Sequence, residues 1–212
     1  MRGSDRSIPI VVLAGGEGRR IGGNKPHRML GGQSLLERAL DYARSLSDRV
    51  VVSVRHADRI SGVETITDPL GLAGPLAGLA AGLVMARDCG LPRLATIPCD
   101  MPFLPDDLLV RLLSIGADVP VTIAESGGRL HPVCGLWRSE VLDALPAYLA
   151  TGRLSLEGFA RHVGFQSCAW PTDPDPFFNV NDAEALIEAG RGLDGDTNCA
   201  DMPNYFASGM SS

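Results

Sequence analysis

The sequence predicts an α/β fold: a three-layer α/β/α sandwich on a Rossmann-like, mostly parallel sheet with an antiparallel edge. Three observations predict it. Short apolar, β-rich runs alternate with helical stripes, which is the pattern of βαβ units with right-handed crossovers. The first such run, Ile8 to Leu13, ends at Gly15-Gly16, as a buried strand feeding a glycine-rich turn does. Asp68 and Asp100 each lie just past the end of a predicted strand, where open parallel sheets gather their ligands.

After Ile8–Leu13, Ser34-Leu35-Leu36-Glu37 has the form of a capping box, and Leu35, Leu36, Ala39, Leu40, Ala43 and Leu46 share one face of a helix from Ser34 to Leu46. Arg49–Val54 and Glu64–Thr67 read as strands, the second closed by Asp68-Pro69. Pro75–Arg87 reads as a helix in which Gly78 and Gly82 permit close approach of a neighbour. Arg93–Pro98 is a strand, and Pro105-Asp106-Asp107 opens a helix. Asp118–Ala124 and Leu130–Trp137, separated by Ser126-Gly127-Gly128, read as a hairpin or antiparallel edge. Helices over Arg138–Leu149 and Ser155–His162, a strand over Phe165–Trp170 and a cap at Asn181-Asp182-Ala183-Glu184 complete the chain. One domain spans residues 8–190, between an amino-terminal tail (1–7) and a carboxy-terminal tail (191–212).

Composition narrows the function. Nineteen Lys and Arg against 25 Asp and Glu give a net charge of −6, which argues against a surface that grips nucleic acid but allows one nucleotide in a locally basic cleft. With 45% apolar and 21% charged residues, and no run near the length of a membrane span, the expectation is a globular protein with no membrane partner. The five cysteines (89, 99, 134, 168 and 199) lack the spacing of a zinc site and read as buried, reduced thiols, which fits the cytoplasm.

The chemistry concentrates after the first strand. Leu13 to Lys25 holds five glycines and three cations in 13 residues, and matches neither GxxxxGK[ST] nor GxGxxG. Glycines let backbone N–H groups turn toward an anion, and cations offset polyphosphate charge, so a triphosphate suits this loop. A glycine-rich turn can also be only a tight turn, and an aspartate after a strand only a helix cap. His131, before Pro132, reads as structural more readily than as an acid or base, and Trp137 and Trp170 as core or pocket walls. His27, His56 and His162 share no ligand spacing.

Leu13-Ala14-Gly15-Gly16, continuing to Arg19, Gly22-Gly23 and Lys25, resembles the signature of the molybdenum cofactor guanylyltransferase family. Asp68-Pro69, Gly74-Pro75-Leu76-Ala77-Gly78, Pro98-Cys99-Asp100-Met101-Pro102-Phe103, His131-Pro132 and Phe178-Asn179-Val180-Asn181 recur in the family's order, from about Ile8 to Gly190. The resemblance implies the nucleotidyltransferase fold and transfer of GMP from GTP to molybdopterin with release of pyrophosphate. Alternatives left open are CTP or another phosphate acceptor, and a non-catalytic nucleotide- or pterin-binding protein.

By resemblance, Leu13, Ala14, Gly15 and Gly16 contact the nucleotide, and Arg19 and Lys25 stand at the phosphates. Asp100 holds Mg²⁺, or Mn²⁺ in its stead. Asp68 and Gly78 belong to the nucleotide site, as does Ser53, where relatives commonly carry asparagine near the base. Asn179 and Asn181 face the metal or the pterin, although the residues alone fit equally a turn with Asn181 capping the last helix. Asn24 stands where the family usually has aspartate, in a loop one residue shorter. Transient contacts with molybdenum cofactor biosynthesis proteins and molybdoenzymes are implied as well.

Overall fold

A computed structural model describes residues 6–14, 25–55, 60, 62–69, 71–115 and 118–193. In chain order its elements are β1 (Ile10–Leu13), the short β2 (Met29–Leu30) and β3 (Gln33–Ser34), α1 (Leu35–Leu46), β4 (Val50–Val54), β5 (Glu64–Thr67), α2 (Pro75–Asp88) and β6 (Arg93–Pro98). The second half holds α3 (Leu108–Ser114), β7 (Val121–Ser126), β8 (Arg129–Arg138), α4 (Leu145–Ala150), α5 (Leu156–Val163), β9 (Gln166–Trp170) and α6 (Ala183–Leu193).

Ile10-Val11-Val12-Leu13 carries no polar side chain and is buried throughout, as a strand covered on both faces must be. It lies at the heart of a seven-stranded sheet of order β5-β4-β1-β6-β8-β7-β9. β1 pairs in parallel with β4 and β6, and β4 with β5. Only β8 runs the other way, antiparallel to both β6 and β7, while β9 is parallel to β7. The reversed strand therefore sits inside the sheet and not at its rim, a correction to the expected antiparallel edge. The hairpin β7–β8 inserts its second strand beside β6, and the chain then crosses over α4 and α5 to add β9 outside β7.

Period-two alternation along β1 splits the core in two. Ile10 and Val12 face α1 and α3, packing with Leu36, Leu40, Leu108 and Leu112. Val11 and Leu13 face α2, α4 and α5, packing with Leu76, Leu79, Leu83, Tyr148 and Phe159. These are the three layers of the expected sandwich. The capping box forms as read: Ser34 Oγ accepts from the Glu37 N–H at 3.2 Å, and the Glu37 carboxylate accepts from the Ser34 N–H at 2.8 Å. Trp137 and Trp170 are both core residues.

Three local expectations are corrected. The helix expected over Arg138–Leu149 is a 3-10 helix, Ser139–Ala144, followed by α4 with Pro146 in its first turn. Proline has no N–H to give to the residue four before it, so a new α-helix starts there and the old one does not continue. Gly31 and Gly32, both at positive φ (56° and 81°), close the unanticipated β2–β3 ribbon, a turn that glycine alone adopts freely. Among the cysteines, Cys99, Cys134 and Cys168 are buried thiols, but Cys89, at the exposed end of α2, is not. Cys199 lies outside the described residues.

Candidate active site

The parallel strands end together, which brings distant residues onto one edge. Leu13 is flanked by Ser53 of β4 and Pro98 of β6. Ala14 donates its N–H to the Ser53 carbonyl at 3.3 Å, and Asp68, just past β5, donates to the Val54 carbonyl at 2.9 Å. The Ser53 hydroxyl, 1% exposed, donates to the Asp68 carboxylate at 2.5 Å. Burial raises the Asp68 carboxyl above the usual carboxylate value, and the Ser53 hydrogen bond and the charge of Arg55 pull it partly back. α2 closes over this corner through Gly78. A Cβ at Gly78 would lie 2.5 Å from Ser53 Oγ and 2.7 Å from Leu13 Cδ2, so no larger residue lets the helix approach this closely. Leu13, Ala14, Ser53, Asp68 and Gly78 are thus one cluster.

A second group gathers beyond β6. Asp100 is half-buried two residues past Pro98, and its carbonyl accepts the Val180 N–H at 2.8 Å. That bond carries Asn179 and Asn181 to the strand end that holds Asp100. Behind it lies Cys134, whose thiol is pushed up first by burial and then by the negative charge of Asp100. Asn179 and Asn181 line a cavity of about 230 Å³ with Arg129, Asp175, Phe177 and Phe178. The alternative in which Asn181 caps the last helix is corrected: the Asp182 carboxylate accepts the Ala185 N–H at 2.8 Å, in the geometry of an N-cap.

His131 is structural in its setting. It is 3% exposed, its Nε2 shares a hydrogen with Ser126 Oγ at 2.7 Å, and its ring stacks on Phe177 with centroids 4.6 Å apart. Burial lowers its pKa to about 4, against the smaller opposing pull of Asp175, so the ring is neutral at neutral pH. By gripping Phe177 it anchors the segment that carries Asn179 and Asn181. Ser126 and Phe177 were not singled out from the sequence. A signal existed for Ser126: in the hairpin, Ala124 pairs with His131, which puts Ser126 on the diagonal position of the same face. Phe177 follows a run of Pro and Asp without periodicity, and nothing there marked it.

Gly15, Gly16, Arg19 and Asn24 lie outside the described residues. Lys25 begins a 3-10 turn, Lys25–His27, that leads into β2. Among the described residues no three His, Cys, Asp or Glu side chains form a metal cluster, and no helix is long and apolar enough to cross a membrane.

Known proteins share this fold. Residues 10–163 match the model of the MobA-like NTP transferase domain. A molybdenum cofactor guanylyltransferase from Rhodopseudomonas palustris is 38% identical over 196 residues, which cover 87% of this chain and 93% of that protein. Among solved structures, molybdopterin-guanine dinucleotide biosynthesis protein A from Archaeoglobus fulgidus has the same fold, with a TM-score of 0.73 at 24% identity, covering 88% of this chain and 99% of that one. A Mycobacterium tuberculosis protein solved in complex with manganese has a TM-score of 0.59 at 16% identity, covering 88% of this chain and all of the other. The family model takes in β1 through α5, and with them Leu13, Ser53, Asp68, Gly78 and Asp100, so this chain, a nucleotidyltransferase, belongs to the MobA-like NTP transferase domain family.

Proposed function

We propose that the protein transfers GMP from GTP to molybdopterin, forming the guanine dinucleotide cofactor and pyrophosphate. The observation that carries this reading is the single sheet edge on which Leu13, Ser53, Asp68 and Gly78 meet one another and to which the Val180–Asp100 hydrogen bond ties the Asn179–Asn181 segment. A donor nucleotide and an acceptor would lie on either side of Asp100. The names of its relatives supply the substrates. The cytoplasm is the compartment that fits the free thiols.

The reaction asks little covalent chemistry of the protein. An oxygen of the acceptor's terminal phosphate attacks the α-phosphorus of GTP, one P–O bond forms, and the bond from the α-phosphorus to the bridging oxygen breaks as pyrophosphate leaves. The nucleophile is already an anion, so no general base is needed, and neutral His131 is not asked to be one. Leu13, Ala14, Gly15 and Gly16 supply backbone contacts to the base and phosphates, Ser53, Asp68 and Gly78 form the nucleoside end, and Arg19 and Lys25 offset the charge of the phosphates.

Mg²⁺, or Mn²⁺ in its place, fits the residues present. One carboxylate, Asp100, with the amides of Asn179 and Asn181 on the segment tied to it, makes a sparse oxygen-donor set that leaves positions for substrate phosphates and water. When bound, such an ion neutralises phosphate charge and polarises the P–O bonds. The manganese of the Mycobacterium tuberculosis fold neighbour is consistent with this choice.

The test is pyrophosphate release from GTP and molybdopterin, with CTP in a parallel reaction. Asp100→Ala is expected to lower turnover by at least about 100-fold while circular dichroism and melting stay those of wild type. Turnover retained in that variant, or CTP preferred over GTP by wild type, would sink the reading.

A further inference from the structure

Ser53 occupies a position for which resemblance suggests a direct base contact, yet its geometry points elsewhere. It is 1% exposed, on β4 beneath α2, with its Oγ pressed toward Gly78. A serine hydroxyl has a single hydrogen to give, and Ser53 gives it to Asp68 Oδ1. Asp68 lies one residue past the end of β5, buried to 8% exposure, with its backbone fixed by the Val54 carbonyl. A buried carboxylate has acceptor capacity for several donors, and Ser53 uses only part of it.

We propose that Ser53 is a positioning residue that acts on the nucleotide through Asp68: its hydroxyl fixes one carboxylate oxygen so that the other accepts an N–H or O–H of the nucleoside. This deepens the proposed function and rests on it. Ser53 thereby does through an intermediary what a longer amide side chain at the same place could do by itself. The charge state of Asp68 is part of the device. Among the described residues, those that bear on its carboxylate are Ser53 of β4, through its hydrogen bond, and Arg55 just beyond that strand, through its charge, while Leu13 of β1 and Gly78 of α2, packed on Ser53, bring no charge. Without the Ser53 hydroxyl, one of the two influences that hold the Asp68 carboxyl down is gone, and it takes up a proton at a higher pH than in wild type.

The experiment is calorimetric titration of the full chain with Mg²⁺ and GTP, ITP, 2′-deoxyGTP or inorganic tripolyphosphate, between about pH 5 and pH 8. The proteins are wild type, Ser53→Ala, Asp68→Asn and the double variant. Ser53→Ala is expected to weaken GTP about tenfold at neutral pH and by more as the pH falls. It should add nothing in the Asp68→Asn background, and it should leave tripolyphosphate binding as in wild type. A penalty that disappears with ITP assigns the donor to the base amino group; one that disappears with 2′-deoxyGTP assigns it to the ribose. Either supports the proposal. Equal GTP affinity in Ser53→Ala and wild type, full additivity with Asp68→Asn, or the same loss toward tripolyphosphate would overturn it. Wild type that binds tripolyphosphate and GTP equally would overturn the nucleotide site itself, and the proposal with it.

Discussion

All seven strands share one backbone ladder, but over β5, β4, β1 and β6 a helix packs close against the strands, whereas around β8, β7 and β9 a chain of polar and aromatic side chains links the sheet to its surroundings. In the first region β1 and β4 are nearly pure apolar runs, and α2 lies down on the sheet because Gly78 and Gly82 present no Cβ: one at Gly82 would stand 2.9 Å from Val11 Cγ2. In the second, Ser126 holds His131, His131 stacks on Phe177, Phe177 meets the Trp170 ring edge-on, and the Trp170 indole donates to Asp107 at 2.9 Å. Arg111 lies over Trp170 at 4.3 Å and donates to the Ala169 carbonyl. At the seam, Trp137 of β8 donates its indole N–H to Thr96 of β6 at 3.1 Å. The contrast teaches where each half tolerates change. As far as stability of the fold goes, the nucleoside side is the more sensitive to added bulk, and the Asn179–Asn181 side to a lost side chain.

The largest effect should come from taking away. His131→Ala leaves the Ser126 hydroxyl without its buried partner and Phe177 without its stacking face, and is expected to cost about 2–4 kcal/mol in urea unfolding. The pH dependence has a definite sign. The His131 pKa in the fold is lowered to about 4 from an ordinary 6.5, so the unfolded chain binds the extra proton first as the pH falls. The stability this group contributes is fully present above pH 6.5 and is lost on descending toward pH 4. The variant should lose less stability than wild type between pH 7 and pH 5, and an unchanged pH slope would break the assignment.

Adding should come next. Gly78→Ala pushes a methyl against Ser53 Oγ and Leu13 Cδ2, with an expected cost of about 1–3 kcal/mol together with weaker GTP binding in calorimetry. If it lowered stability more than His131→Ala does, the contrast between the halves would be reversed. Thr96→Val, at the seam, strands one buried indole N–H and should cost about 1 kcal/mol by the same urea assay.

The first region was the more legible in the sequence for the same physical reason. Apolar runs, a Ser-x-x-Glu box and Gly-Pro before a helix are local signals, and the strands, caps and helices built from them were read to within a few residues. Leu13, Ser53, Asp68 and Gly78 could be named individually. Their direct contacts with one another could not, because the parallel register that aligns Leu13 with Ser53 and Ser53 with Ile66 is a property of the sheet. In the second region the decisive pairs join residues without local pattern: His131 with Phe177, and Trp170 with Asp107. Strand β9 gives no sign of which neighbour it will choose, and β8 read as half of a hairpin without revealing that it would insert beside β6.

The hydrogen bond from Val180 to Asp100 joins two peptide groups, and neither side chain takes part in it. Truncating Asp100 to alanine therefore strips away the carboxylate yet keeps the carbonyl to which the Asn179–Asn181 segment is moored, so the variant separates anchorage from charge. At position 180 the bond itself is indifferent to the side chain, although Val180 is buried against Leu30 and Leu35, and proline is the one amino acid that would cut the mooring for want of a hydrogen.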